Sequence, residues 1–137
     1  LTTMRTLGQA IRLGLTRSCH DLSEGGFAVA AAEMALASMR GADLNVARIG
    51  LKEVSGLKGA ALTVTRLFSE SASRFLVEVT PEQLGAFERY MREHGVEEIF
   101  RVGQVTNDAR LTIHNGNEEL LNVDVAELQV AWKGGPV

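Results

Sequence analysis

"SCHDLSEGGFAVAAAEMALAS", residues 18–38, is the stretch that decides how this chain is read. Its first half holds His20, Asp21, Ser23, Glu24 and the pair Gly25-Gly26. Its second half is apolar, and from Phe27 to Ala37 the only charge is Glu33. Such a run predicts a helix over 24–39, buried on most sides. The polar residues then lie at a helix mouth, where four backbone N–H groups are unpaired and a partial positive charge resides. Two readings of that mouth stand open. In one, Asp21 or Ser23 caps the helix, Glu24 complements the dipole, and the glycines serve close packing. In the other, Gly25 and Gly26 let a phosphate reach bare backbone. Asp21 and Glu24 would repel that phosphate unless a Mg²⁺ lay between them, since this ion commonly uses one or two carboxylates plus ligand oxygens. His20 alone reads as a hydrogen-bonded structural residue, and Cys19 as a small buried hydrophobe. Glu33, if buried, needs a partner: an arginine, a backbone amide or a cleft edge.

Upstream, Met4, Leu7, Ile11 and Leu15 recur at helical spacing and predict an amphipathic helix over 3–15. Downstream, Gly41 is expected to end the buried helix. A strand over 42–49 would carry Leu44, Val46 and Ile49, followed by a loop over 50–60 and a short helix over 60–68. "RFLVEV", 74–79, alternates so that Phe75, Val77 and Val79 share a face. Thr80, Pro81 and Gln83 mark a helix start with a capping box. Leu84, Phe87 and Met91 form that helix's inner stripe, and Gly95 stops it. A strand over 97–105 follows, then a hairpin over 110–125 turning at Asn115-Gly116, the dipeptide favoured by type I′ turns. A helix over 125–132 ends on Trp132, read as an anchor. The sum is one α+β domain over 1–137, a mixed or antiparallel sheet covered by helices.

The totals narrow the function classes. The chain has 137 residues, enough for one core, with 45% hydrophobic and 23% charged residues. Net charge is -3 and aromatics are 5%, which argues against a nucleic-acid partner or an anionic membrane surface. The single cysteine allows no intrachain disulfide and suggests a reducing, cytoplasmic setting. No apolar run reaches the roughly 18 residues of a membrane helix. The three histidines, His20, His94 and His114, lack metal-ligand spacing. The chain starts at Leu1 with its first helix close behind, as expected of a piece of a longer protein.

A second polar group precedes the alternating strand: "LFSESASRFLVEV", 67–79, with Ser69, Glu70, Ser71, Ser73 and Arg74. Hydroxyls and an arginine at a strand mouth can hold a phosphate or carboxylate, the guanidinium forking onto two oxygens. Arg74 as a solvated residue, or paired with Glu70 across the turn, fits the same letters. If the buried helix lies on the sheet and 74–79 begins a strand, the groups of 20–26 and 69–74 are expected to face one space.

"HDLSEGG" followed by "AVAAAEMALA", then "FSESASRFLVEV", "VGQVT" and the tail "AELQVAWKGGP" resemble the C-terminal half of phosphoribosylformylglycinamidine synthases. These belong to the aminoimidazole-ribonucleotide-synthetase-like superfamily, whose other members carry looser versions of the glycine motif. The resemblance implies an ATP-dependent ligase of purine synthesis, which converts phosphoribosylformylglycinamide and glutamine-derived ammonia to the amidine. It implies ATP and Mg²⁺ as cofactors. As partners it implies preceding domains, a glutaminase domain or subunit and a phosphoribosyl substrate. By the same resemblance Ser69, Glu70, Ser71, Ser73 and Arg74 are ligand-site candidates; the helix-mouth reading adds His20, Asp21, Ser23, Gly25 and Gly26, with Asp21 and Glu24 as candidate Mg²⁺ ligands, and no residue is assigned as catalytic. Ala72 stands where the first-half copy of these enzymes carries glutamine, a departure that suits an auxiliary cleft. Two alternatives remain: another ATP-using member of the superfamily, or a non-catalytic nucleotide-binding or structural domain.

Overall fold

The computed structural model describes residues 1–50 and 56–134; the first part of the expected 50–60 loop and the last residues of the tail lie outside them. The elements are α1 (Thr2–Arg12), β1 (Ser18–Asp21), α2 (Gly26–Ser38), β2 (Gly41–Asn45), α3 (Gly59–Phe68), β3 (Phe75–Glu78), α4 (Pro81–Glu93), β4 (Gly103–Thr106), β5 (Arg110–Asn115), β6 (Glu118–Asp124) and α5 (Val125–Trp132). A four-stranded sheet runs β4-β2-β5-β6, with β2 and β5 parallel and its other pairs antiparallel. Separately, β1 and β3 form a two-stranded antiparallel ribbon. The expected α+β class with a mixed sheet and covering helices is what the chain adopts.

Two apolar clusters hold the layers together. In the first, Leu22, Phe27, Ala30 and Ala31 pack with Leu44, Val46, Ile49, Leu111 and Ile113 of the sheet side. The alanines let α2 lie close to the strands, and Phe27, only 2% exposed, fills the space they leave. In the second, Leu7 and Ala10 of α1 meet Phe87 and Met91 of α4 and Val96 beyond it. Phe75, Val77 and Val79 pack on this cluster, as their alternation required, while Leu76 packs on the first. The ribbon is therefore shared by both cores.

Several expectations give way to non-local forces. On α1 the buried residues are Thr6, Leu7 and Ala10, whereas Met4 and Ile11 are exposed, because α4 is met one step round the helix from the apolar stripe. The strand expected over 42–49 stops at Asn45, whose side chain accepts the Ala47 N–H and starts a 3₁₀ turn over Val46–Arg48. Gly41 does not terminate α2: Met39 takes the left-handed conformation there, at φ 51°. Gly41 begins β2, where a side chain would strike the Arg110 backbone. The strand expected over 97–105 pairs only at Gly103–Thr106, since Val96 and Ile99 are drawn to the second cluster instead. The hairpin loop is Gly116-Asn117, with Asn115 still paired to Glu118. Only Gly116 has positive φ in that loop, the pattern of a type II′ turn, not I′. At the start of α4 no side chain caps the backbone; the Glu82 carboxyl is held below its usual range by its own backbone amide first and by the Thr80 hydroxyl second.

The glycine pair before α2 has a mechanical reason to exist. Gly25 and Gly26 have φ of 74° and 64°, left-handed values that cost other residues about 1–2 kcal/mol each. A Cβ on Gly26 would also lie 2.8 Å from the Phe68 carbonyl carbon and 2.9 Å from the Leu67 oxygen. These are backbone atoms that cannot rotate away. We expect Gly26→Ala to lower unfolding stability by about 3 kcal/mol, the sum of conformational strain and overpacking, and Gly26→Val by more. Gly26→Val is thus a stability variant and cannot serve as a fold-neutral probe of binding. Urea denaturation followed by circular dichroism checks both; a loss under about 1 kcal/mol would mean that α2 and α3 are not in backbone contact.

Candidate functional site

The two polar stretches meet. Along the ribbon His20 pairs with Leu76 and Asp21 with Phe75, so 20–26 leaves β1 where 69–74 enters β3. The pairing continues past the strands: Leu22 donates its N–H to the Arg74 carbonyl at 3.0 Å. Leu22, 4% exposed, is the one apolar residue of "HDLSEGG" and pegs the turn into the first cluster. Three residues later, the Gly25 N–H donates to Glu70 Oε1 at 2.8 Å. The shared space expected for the two stretches is therefore a single surface made from two turns.

Neither Asp21 nor Ser23 caps α2. Its N-cap is Gly25, with no side chain of its own to offer. Ser23 instead bonds to Asp21, and this bond is the main reason the Asp21 carboxyl is held below the usual aspartate range, with a smaller contribution from the neighbouring His20. The other stretch is braced internally. The Arg74 guanidinium donates to both the carbonyl and the hydroxyl of Ser69, closing the loop on itself. Ser73 within it sits at φ 65°, a left-handed value unusual for serine. Arg74 is thus partly committed to holding the loop, and is not a solvated surface residue.

His20 makes its ring contacts with oxygens. Nδ1 lies 2.6 Å from the Asp21 carbonyl and Nε2 lies 2.6 Å from Glu33 Oε2. Glu33 finds its partner in this imidazole, at the edge of an open groove of about 600 Å³ lined by His20, Ser23, Glu24, Gly25, Val29, Glu33 and Trp132. Val29, Glu33 and Trp132 were not among the candidates drawn from the sequence. The first two could have been found from helical spacing, one and two turns beyond Gly25-Gly26. Trp132 comes from the far end of the chain and only the fold brings it there. It does not act as a buried anchor: it is 65% exposed, because α5 packs through Val125 and Leu128. Cys19 likewise is exposed, on the ribbon face opposite His20, and partial burial together with Asp21 raises its thiol pKa.

Among the described residues no group of three or more His, Cys, Asp or Glu side chains is placed to hold a metal ion. Asp21 and Glu24 alone do not close a coordination sphere. They suit Mg²⁺ only if ligand oxygens and water supply the remaining positions. No helix in the described residues is long and apolar enough to cross a membrane.

The Asp21–Ser23 bond gives a pH signature. A depressed carboxyl contributes stability that is present above the unfolded aspartate pKa and lost as pH falls through the lower folded value. In a carboxyl-carbon NMR titration Asp21 should titrate below an ordinary aspartate, and Ser23→Ala should move it back upward. An Asp21 midpoint unchanged by Ser23→Ala would show that the hydroxyl is not its partner.

Comparison with known proteins follows the same architecture. The sequence signature described as AIR synthase related protein, C-terminal domain, matches residues 1–115. Phosphoribosylformylglycinamidine synthase II from Thermotoga maritima superposes with a TM-score of 0.76 at 22% identity, covering 93% of this chain and 21% of that one. T. maritima PurL complexed with FGAR gives 0.77 at 22% identity, over 93% of this chain and 20% of that one. The hydrogenase maturation protein HypE in complex with ATP gives 0.70 at 16% identity, over 88% and 40%. At such identities the likeness establishes the fold, and the chain spans about a fifth of the length of the synthases. Both the signature and the architecture lead to one assignment: the chain belongs to the family of AIR synthase related protein C-terminal domains.

Proposed function

We propose that this chain is the C-terminal domain of an ATP-dependent carbon–nitrogen ligase of the phosphoribosylformylglycinamidine synthase type, acting in purine synthesis. Its contribution is one wall of a ligand cleft whose opposite wall belongs to preceding domains of the parent; a glutaminase domain or subunit supplies the ammonia. The observation that carries the reading is the joining of 20–26 to 69–74 through the Leu22–Arg74 and Gly25–Glu70 hydrogen bonds. It places hydroxyls, backbone amides and carboxylates of two sequence-distant motifs at one edge of the domain. Such a mixture suits a phosphorylated ligand, ATP or the phosphoribosyl substrate, accompanied by Mg²⁺. The resemblance of the motifs to those synthases, and the solved relatives holding FGAR or ATP, support this choice of ligand.

The chain's own residues would bind and orient. Ser71 and Ser73 offer hydroxyls, Gly26 and the first residues of α2 offer N–H groups, and Asp21 or Glu24 would hold Mg²⁺, which when bound neutralises phosphate charge. His20 is not proposed as a base: the two oxygens at its ring nitrogens tie it to β1 and α2. Ala72 suits an auxiliary cleft in which nucleotide is held and not turned over.

The alternative of a structural domain that binds no nucleotide makes a different forecast. We expect the isolated chain to form no amidine from phosphoribosylformylglycinamide, ATP and ammonium. We also expect MgATP or phosphoribosylformylglycinamide to perturb amide resonances of 20–26 and 69–74 once the chain is joined to its preceding domain. Turnover by the isolated chain at the rate of a whole synthase, or perturbations confined to other segments, would overturn the proposal.

A further inference from the structure

The candidate stretch 69–74 contains one carboxylate, Glu70, and resemblance alone would make it a ligand contact. The geometry points to a different role: we infer that Glu70 is a positioning residue, a latch that reaches across from the β3 entry loop and fixes the glycine turn of α2. Its Oε1 accepts the Gly25 N–H at 2.8 Å, across 45 positions of sequence. α2 has no side-chain cap of its own, so this carboxylate supplies a cap from another segment. Charge favours it there, since a carboxylate beside a helix N-terminus is stabilised by the macrodipole.

Neighbouring contacts explain why the latch is held in place. One end of the loop is fixed where the backbone of Phe68 meets Gly26, and the other where the Arg74 carbonyl accepts the Leu22 N–H. Between these ends, Arg74 braces the loop through Ser69. Glu70 is the side chain between the two anchors that crosses to the partner turn, and its bond sets where the Gly25 amide points. The glycines have left-handed φ and no Cβ, and among the described residues Glu70 is the acceptor that the Gly25 N–H finds. An aspartate would fall about one methylene short of the amide, so the role also accounts for glutamate at this position.

The inference rests on the proposed function only in calling the turn ligand-facing; the latch itself can be tested without any ligand. Glutamine keeps an oxygen acceptor at the same reach, whereas alanine removes it. In Glu70→Ala, Gly25 should exchange its amide proton about tenfold faster, and its resonance should move, with changes confined to 22–27 and 68–74. Glu70→Gln should restore most of the protection. MgATP titration of the chain joined to its preceding domain then gives the second readout: weaker affinity in Glu70→Ala, largely rescued in Glu70→Gln. A Gly25 amide unmoved in Glu70→Ala would overturn the latch. So would loss of MgATP affinity in Glu70→Gln with the Gly25 amide unchanged, since that pattern belongs to a carboxylate touching the ligand or its metal. If the wild type binds no MgATP while the amide signature behaves as expected, the latch stands and the functional reading alone fails.

Discussion

The constraint on which the candidate site depends is the backbone contact between Gly26 and the end of α3. No side chain fits between them, and both glycines of the pair must hold left-handed φ for the chain to enter the helix at that angle. Once this approach is fixed, the direction of α2 over the four-stranded sheet follows. So do the position of 69–74 beside the turn and the groove bounded by His20, Glu33 and Trp132. A motif that reads as a phosphate cradle is therefore also a packing joint. The two uses are compatible, because a residue without a side chain serves a close neighbour on one side and leaves its backbone bare on the other.

Polar groups around the joint are spent largely on each other. Ser23 holds Asp21, Glu33 holds His20, Ser69 holds Arg74 and Glu70 holds Gly25. A surface wired this way keeps its shape before any ligand arrives, which lowers the ordering entropy that binding must overcome. It also narrows which groups are suited to a ligand. In the proposed reading, the ligand's contacts would fall to the Ser71 and Ser73 hydroxyls and the first amides of α2.

Much of this was legible in the letters, and the limits have physical causes. The burial of α2 on the sheet followed from a run with one charge, though only one face is fully buried and Val29 and Glu33 line the open groove; the two-faced strand followed from its alternation, because both patterns are local. The meeting of 20–26 with 69–74 followed from asking where a buried helix and a strand must begin. What the letters could not give depended on partners far away in sequence. Met4, Leu7 and Ile11 make an equally good stripe whether or not α4 meets all of them, and only packing chose Leu7 with Ala10. Residues 97–105 read as one strand until Val96 and Ile99 found the second cluster. Asn115-Gly116 favours a type I′ turn in isolation, yet pairing of Asn115 with Glu118 moved the loop one residue on. Glu70 was legible as a site residue but not as a cap, since its partner lies 45 positions earlier.

A two-stranded ribbon is marginally stable by itself, and here the ribbon carries the candidate site at its end. It survives because its two faces are claimed by different cores: Leu76 and the adjoining Leu22 by the sheet cluster, Phe75 and Val77 by the α1–α4 cluster. The site thus lies on the seam between two packing units and belongs to neither. Loosening either unit would shift one strand against the other, and with it the register that brings Leu22 to Arg74 and Gly25 to Glu70. A helix pair remote from the site, α1 and α4, is in this way part of what shapes it. The same seam lets the two turns be built from unrelated segments yet held in one fixed relation, because the Leu22–Arg74 bond starts from a residue buried in the sheet cluster.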